Sequence, residues 1–294
     1  MAKIKWLMQN YWLLIVFIAI KMVVQLLIVN PIYELHRDEF LYLDQARHIS
    51  FGFISVPPLS SIISALIFSF GGEMFWVRFF PALFGALTMI FAWLTIEELG
   101  GKVYSKVLVS CALLFSIYMR LNILYQPNAF DIFAWTAAFY FFIRYIRSAE
   151  NKWIIFLMLS FVFGFYNKYN IVFLLAGLLL GVLLTKHRNI FSNKSFYFSL
   201  AVGLILILPN ILWQISNNFP VIHHMMVLKS TQLNYTSTSG FIIEQFLFMS
   251  GSLLVLIAAF VGLFFYRKFE DYRVIGFVYL IVITIFILLK AKGY

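Results

Sequence analysis

Residues 11–39 read YWLLIVFIAIKMVVQLLIVNPIYELHRDE, an apolar run that ends in four consecutive ionisable side chains, His36, Arg37, Asp38 and Glu39. A helix needs about 20 predominantly apolar residues to cross the hydrocarbon of a bilayer, and the stretch from about 11 to 29 supplies them. Lys21 is the one charge inside it. The charged patch follows where a chain leaving a membrane would emerge. These two halves set the reading of the rest: apolar spans, with any chemistry carried at their ends.

Composition extends that reading to the whole chain. Its 294 residues are 63% hydrophobic, 20% aromatic and 12% charged, with a mean hydropathy of +0.92, whereas soluble domains hold roughly 45–50% apolar residues. The 22 Lys and Arg and 12 Asp and Glu side chains are too few to cover a soluble body of this size. The fold class that follows is all-α: a polytopic transmembrane helical bundle forming a single domain over 1–294. The net charge of +10 does not point to nucleic acid, because the basic residues come in twos and threes between apolar runs, as topology signals do. The lone Cys111 excludes an intramolecular disulfide and a multi-cysteine metal site. Lys3 and Lys5 precede the first run as in a signal peptide, but no small-x-small cleavage site follows, so the run reads as an uncleaved anchor.

Nine spans are predicted, at about 11–29, 76–96, 107–122, 129–146, 152–167, 170–185, 196–214, 246–266 and 274–290. With the N-terminus inside, strict alternation puts 13 basic residues in cytoplasmic segments and eight outside, with Lys21 within the first span, which satisfies the positive-inside rule. Residues 57–70 are apolar but too short to cross. With Pro57 and Pro58 at their start they predict an interfacial or re-entrant helix on the outer surface. The exoplasmic side then receives the two larger segments, about 30–75 and 215–245. The chain stops at Lys290-Ala291-Lys292-Gly293-Tyr294, directly after an apolar run, so a C-terminally incomplete chain is expected.

The same topology places Glu34, Asp38, Glu39, Asp44, Glu73, Asp131 and Glu244 outside. Asp131 lies one or two residues into the fourth span, where an ionised group at the bilayer centre would cost about 2.5–3.5 kcal/mol. It reads as a carboxylate facing a cavity or as an interface residue paired with Arg120. Asp38 opens a helical stretch running to Ile49, in which Asp38, Tyr42 and Gln45 share a face while Glu39 points about 100° away. Arg78, Arg120 and Lys168 sit at span ends on the outer side, where they either snorkel to headgroups or together line a site for an anionic one. His223-His224 is a weak metal signal, since adjacent helical residues face different ways. No phosphate-binding P-loop, dinucleotide fingerprint, zinc-protease helix motif or nucleophile elbow occurs.

Several fragments, taken in order, carry a resemblance. Asp38-Glu39 follows the first span; then come Phe51-Gly52-Phe53, Pro57-Pro58-Leu59 and Arg78. Gln126-Pro127 and Phe130-Asp131 open the fourth span, Asn167-Lys168-Tyr169 follows the fifth, and Leu208-Pro209-Asn210-Ile211-Leu212-Trp213-Gln214 precedes Phe219-Pro220. This set resembles the C-type glycosyltransferase superfamily, in its protein O-mannosyltransferase and aminoarabinose-transferase branch. The resemblance implies inverting transfer of a sugar from a polyprenyl-phosphate carrier to a lipid, glycan or protein acceptor on the exoplasmic face, in a bacterial inner membrane. Asp38 would be the base, Glu39 its support and Asp131 the second carboxylate. Arg37, Tyr42, Arg78, Arg120, Gln126, Lys168 and Tyr169 are the candidate substrate-binding residues. No organic cofactor is expected, and a divalent metal stays open. Two departures from the family pattern stand out: Val56 occupies a position that is often Lys or His in relatives, and relatives commonly continue with more spans and an exoplasmic C-terminal domain beyond the point where this chain ends. A transporter or lipid flippase, or a non-catalytic relative that binds the lipid carrier, is the competing reading. Transporters favour mid-depth ionisable residues and repeated halves; here the carboxylates gather at the exoplasmic edge.

Overall fold

The structure, a computed structural model, describes residues 2–29, 34–232 and 237–289, with side chains from residue 11 onward. The side chains of Lys3 and Lys5, and the segment 290–294, lie outside the described residues. All described regular structure is helical. The α-helices are α1 (Ala2–Ile28), α2 (Arg37–Asp44), α3 (Leu59–Ser69), α4 (Met74–Glu98), α5 (Val103–Leu114), α6 (Tyr118–Leu121) and α7 (Pro127–Ser148). They continue as α8 (Lys152–Asn167), α9 (Ile171–Leu183), α10 (Lys194–Ser216), α11 (Pro220–Thr231), α12 (Thr238–Phe248), α13 (Leu253–Phe265) and α14 (Arg273–Leu288). Such a chain is what a bilayer requires, because a helix satisfies its own backbone polar groups where no water is present.

Among the described residues five helical segments are long and apolar enough to cross a membrane: Tyr11–Ile28, Met74–Glu98, Pro127–Ser148, Lys194–Ser216 and Arg267–Leu288. The number rises to seven if each of two bent pairs counts as one span. In one, α9 meets the 3₁₀ turn Lys186–Ser192 at 110°; in the other, α12 meets Ser250–Phe265 at 57°. The remaining two predicted spans coincide with shorter apolar helices, α5 and α8.

Two predicted spans are broken rather than continuous. The stretch 107–122 divides into α5 and α6, and 246–266 divides at Met249–Ser252. The two breaks meet. The Ile117 N–H donates to the Phe248 carbonyl at 3.2 Å, and the Gly251 backbone lies against the Phe115 carbonyl so closely that a Cβ would collide with it. Each helix thus supplies a backbone partner that the other lost at its break.

The main core joins α7, α8, α9 and α14 through Ala134, Ala138, Phe142, Leu157, Phe161, Leu174, Leu178 and Val278. Alanines on α7 let neighbouring backbones approach, the usual device for packing helices in lipid. α1 is held against α4 by Leu14, Met89 and Trp93. At the far end of α4, Glu98 pairs with Arg144 and, at 2.8 Å, with Arg147, while Glu97 takes Lys106 at 2.6 Å.

The segment 57–70 forms a short helix, α3, with Pro58 at its N-cap. Its buried face is mixed, with Ser60, Ser61 and Ser64 beside Ile63 and Ile67, while Ile62, Leu66 and Phe68 are exposed. An exposed apolar face with serines turned inward suits a helix whose outer medium is lipid. The serines are satisfied internally. Ser64 Oγ donates to the Tyr42 carbonyl (2.8 Å), and the Tyr125 hydroxyl donates to the Ser60 carbonyl (2.6 Å). These bonds seat α2 and the chain before α7 on α3.

Candidate active site

Asp38 and Glu39 are neighbours in sequence and opposite in environment. Both lie in the first turn of α2, where carboxylates complement unpaired N–H groups. Glu39 is wholly buried, at 0% exposure. Its Oε2 accepts from the His36 N–H at 2.7 Å, and His36 Nδ1 accepts from the Asp38 N–H at 3.3 Å, closing a capping box. Its Oε1 accepts from Arg78 Nη1 and from the Tyr125 N–H, the latter at 2.6 Å. Arg78, itself buried, donates also to the Ile123 carbonyl at 3.1 Å. One carboxylate therefore fastens together the start of α2, the first turns of α4 and the chain leading into α7.

The roughly 100° step between successive helical residues turns Asp38 away from that pair. Its side chain is 36% exposed. Arg37 Nε donates to its Oδ1 at 3.2 Å, from a side chain that is 90% exposed. Gln126 Nε2 reaches its Oδ2 at 3.5 Å, the outer edge of hydrogen bonding. Gln126 is the extended N-cap of α7, with Pro127 at the first helical position, where a missing N–H costs nothing. Tyr42 stands one turn beyond Asp38 on the same side of α2. Burial, and then the Asp38 charge, push its phenol up to about 12, so at neutral pH it is an uncharged hydroxyl.

From Gln126 a polar seam continues across the first turns of α7. Asn128 Nδ2 donates to Gln126 Oε1 (3.4 Å), and Lys168 Nζ donates to Asn128 Oδ1 (3.0 Å). Asn167 Nδ2 donates to the Pro127 carbonyl (2.9 Å), and Asn170 Nδ2 to Asp131 Oδ2 (2.7 Å). Asp131 Oδ1 accepts from Trp135 Nε1 at 3.1 Å, and an electrostatic interaction links it to Lys168. The turn between α8 and α9 is zipped in this way onto the start of α7.

Tyr169, on the same turn, faces α10. Its hydroxyl donates to Asn210 Oδ1 and accepts from Gln214 Nε2, each at 2.9 Å, and Asn210 Nδ2 donates to the Phe51 carbonyl at 2.6 Å. Gly52 lies so close to the Trp213 ring that any Cβ would collide with it. The fragments around 51–53, 167–170 and 208–214, distant in sequence, are thus in contact.

The structure brings Asp38, Arg37, Tyr42 and Gln126 to one lip, with Lys168 and Asp131 further along the same seam. It pairs Glu39 with Arg78 beneath that lip. Arg120 is exposed on α6. His223 and His224 lie on α11, a helix with no buried residue. Among the described residues no group of three His, Cys, Asp or Glu side chains is arranged to hold a metal ion. The sequence alone assigns no role to Asn128, Asn167, Asn170, Asn210 and Gln214. Their signal was present, as amides standing at the ends of apolar runs. The Oδ1 atoms of Asn167 and Asn170 and the Oε1 of Gln214 are buried without a hydrogen-bond partner among the described residues.

Comparison with known proteins gives a family. The family model for dolichyl-phosphate-mannose-protein mannosyltransferase matches residues 55–213, from just before α3 to Trp213 on α10. Neither the curated proteins nor the solved structures yield a match. The matched residues include Arg78, Gln126, Asp131, Lys168, Tyr169 and Asn210, while Asp38 and Glu39 precede them. Covering more than half of a chain that carries several membrane-capable helices, the match places this protein in the dolichyl-phosphate-mannose-protein mannosyltransferase family, and so among the membrane glycosyltransferases of the C type.

Proposed function

We propose that this glycosyltransferase moves a sugar from a polyprenyl-phosphate carrier to an acceptor hydroxyl on the exoplasmic side of the membrane, inverting the anomeric carbon, with Asp38 as the base. The observation that carries this reading is the meeting of Asp38 with Gln126 across 88 residues of chain. It sets a half-exposed carboxylate at the lip of a seam that leads to a cation, Lys168. Transfer from a sugar phosphate needs both, a base for the incoming hydroxyl and positive charge for the leaving phosphate.

In this mechanism Asp38 takes the acceptor proton as the acceptor oxygen bonds to the anomeric carbon. The bond from that carbon to the phosphate oxygen breaks, and its electron pair leaves on the polyprenyl phosphate toward Lys168. Asp131 acts as the second carboxylate and holds the turn that presents Lys168. Tyr42 and Gln126 orient groups at the lip, and Tyr169 closes the seam toward α10. Arg37 and Arg120 add positive charge for the carrier headgroup, while Arg78 serves by holding Glu39.

Purified protein reconstituted with a radiolabelled mannosyl-phosphoryl polyprenol and membrane acceptors tests the reading. Label is expected to leave the carrier and appear in the acceptor with time. Carrier that stays intact, both with mannose and with other polyprenyl-phosphate sugars, would overturn it.

The nine-span path with the N-terminus inside belongs to the same proposal, since it sets the Asp38 lip outside. A reporter fused after Arg188 is expected to behave as cytoplasmic: a fluorescent protein there should glow, and an alkaline phosphatase should be inactive. Phosphatase activity at that point would break the assignment.

A further inference from the structure

Lys21 sits at the middle of the first apolar helix, and the transfer chemistry leaves it without a task. The structure buries it almost completely, at 4% exposure, beside Gln25 and Asn122 at 2% each. Its Nζ donates to Gln25 Oε1 one turn further along α1, and Gln25 Nε2 donates to the Met119 carbonyl on α6 at 3.2 Å. From the other side, Gly85 of α4 makes room. A Cβ there would collide with both Lys21 Nζ and Asn122 Oδ1. The Nδ2 of Asn122 is buried without a partner among the described residues. Among those residues no carboxylate lies within ion-pairing distance of Lys21; its recorded partner is an amide.

A cation buried in a membrane-spanning helix costs more than any apolar side chain in its place, and a buried Lys held by amides gains little fold stability in return. Connectivity gives the arrangement a purpose. In sequence α1 precedes the segment that carries Asp38, and α6 runs on to Gln126. Four residues beyond Asn122, Gln126 reaches Asp38, and on the way the Ile123 carbonyl and Tyr125 N–H engage Arg78 and Glu39. The Lys21 cluster joins α1 to α6 in the apolar layer, as the Glu39–Arg78 pair joins the segments that follow them at the lip.

We propose that Lys21, together with Gln25, is a positioning residue for sugar transfer: the buried Lys21–Gln25–Met119 tie, seated on Gly85 and Asn122, sets the separation between the segment carrying Asp38 and the segment carrying Gln126. Its effect on activity rests on the function proposed above; its effect on geometry does not.

The test therefore has two arms. In a Cys111→Ser background, cysteines at His36 and Gln126, whose side chains lie 3.5 Å apart, are cross-linked in membranes with a short bifunctional maleimide. Adding Lys21→Met is expected to slow the cross-link about fivefold or more. Gly85→Ala, which keeps both polar residues and only crowds them, carries the same expectation if Lys21→Met does not accumulate. Cross-linking within about twofold of the parent in either accumulating variant overturns the tie.

In the activity arm, on otherwise unmodified protein, each substitution is expected to lower kcat about 10- to 100-fold per folded molecule, with the KM for carrier unchanged. Lys21→Met should add little further loss in an Asp38→Asn background, because both act through one group. Reduced abundance with an unaltered rate per molecule would show a merely structural role and sink the proposal. If the parent transfers no sugar but cross-linking slows, the functional reading falls and the tie stands. If sugar moves and cross-linking is indifferent, the reverse holds.

Discussion

Asp38→Asn is expected to lower kcat for sugar transfer by about 10²–10⁴-fold, the usual contribution of a positioned general base, without lowering the amount of folded protein in the membrane. The environment of the side chain supports both halves of that expectation. Asp38 is 36% exposed, and its partners are Arg37, which is itself exposed, His36 Nδ1 at 3.8 Å, and the long contact to Gln126. Asparagine keeps the size of the side chain and an oxygen that still accepts from Gln126. It therefore leaves the α2 turn and the buried Glu39 contacts in place. What it cannot do is take up the acceptor proton. Release of polyprenyl phosphate, followed in reconstituted vesicles alongside thermal melting, separates the two effects. Undiminished turnover in the Asn variant would remove Asp38 from the mechanism.

Glu39→Ala is expected to do the opposite, breaking the fold before it reaches the chemistry. Glu39 is wholly buried and Arg78 nearly so, and removing one member of such a pair leaves an uncompensated charge at a cost of about 3–5 kcal/mol. The Tyr125 N–H loses its acceptor as well, which adds about 1–3 kcal/mol. Against a total stability of roughly 5–15 kcal/mol, that predicts a sharp fall in abundance and in the melting temperature of purified protein. The double variant Glu39→Leu with Arg78→Met should recover much of the loss, because no charge is then left buried. A Glu39→Ala protein that melts with the wild type would mean that the pair does not anchor the site.

The contrast between these two neighbours shows where sequence reasoning reached and where it stopped. Helical geometry alone required Asp38 and Glu39 to diverge. It did not say which one turns inward, because that depends on Arg78 of α4 and on the N–H of Tyr125, brought against α2 from 39 and 86 residues away. In the same way Arg78 read as one more cation at a span end, when its guanidinium is committed to Glu39. The amides of the seam passed without assignment because a neutral side chain at the end of an apolar run is ordinary. Only its partner across the interface makes it part of a site.

The sequence by itself determined that the protein is an all-helical membrane chain, that its ionisable residues gather at span ends, and that a short helix begins at the proline pair before Leu59. These are local properties: hydropathy over about 20 residues, and a proline that tolerates only certain helix positions. The tertiary structure decided what depends on a partner distant in the chain. It broke two apolar runs where Ile117 and Phe248 exchange a backbone hydrogen bond, buried Lys21 against a glycine of α4, and brought Asp38 to Gln126 at one lip. A hydrogen bond has two ends, and composition records them one at a time.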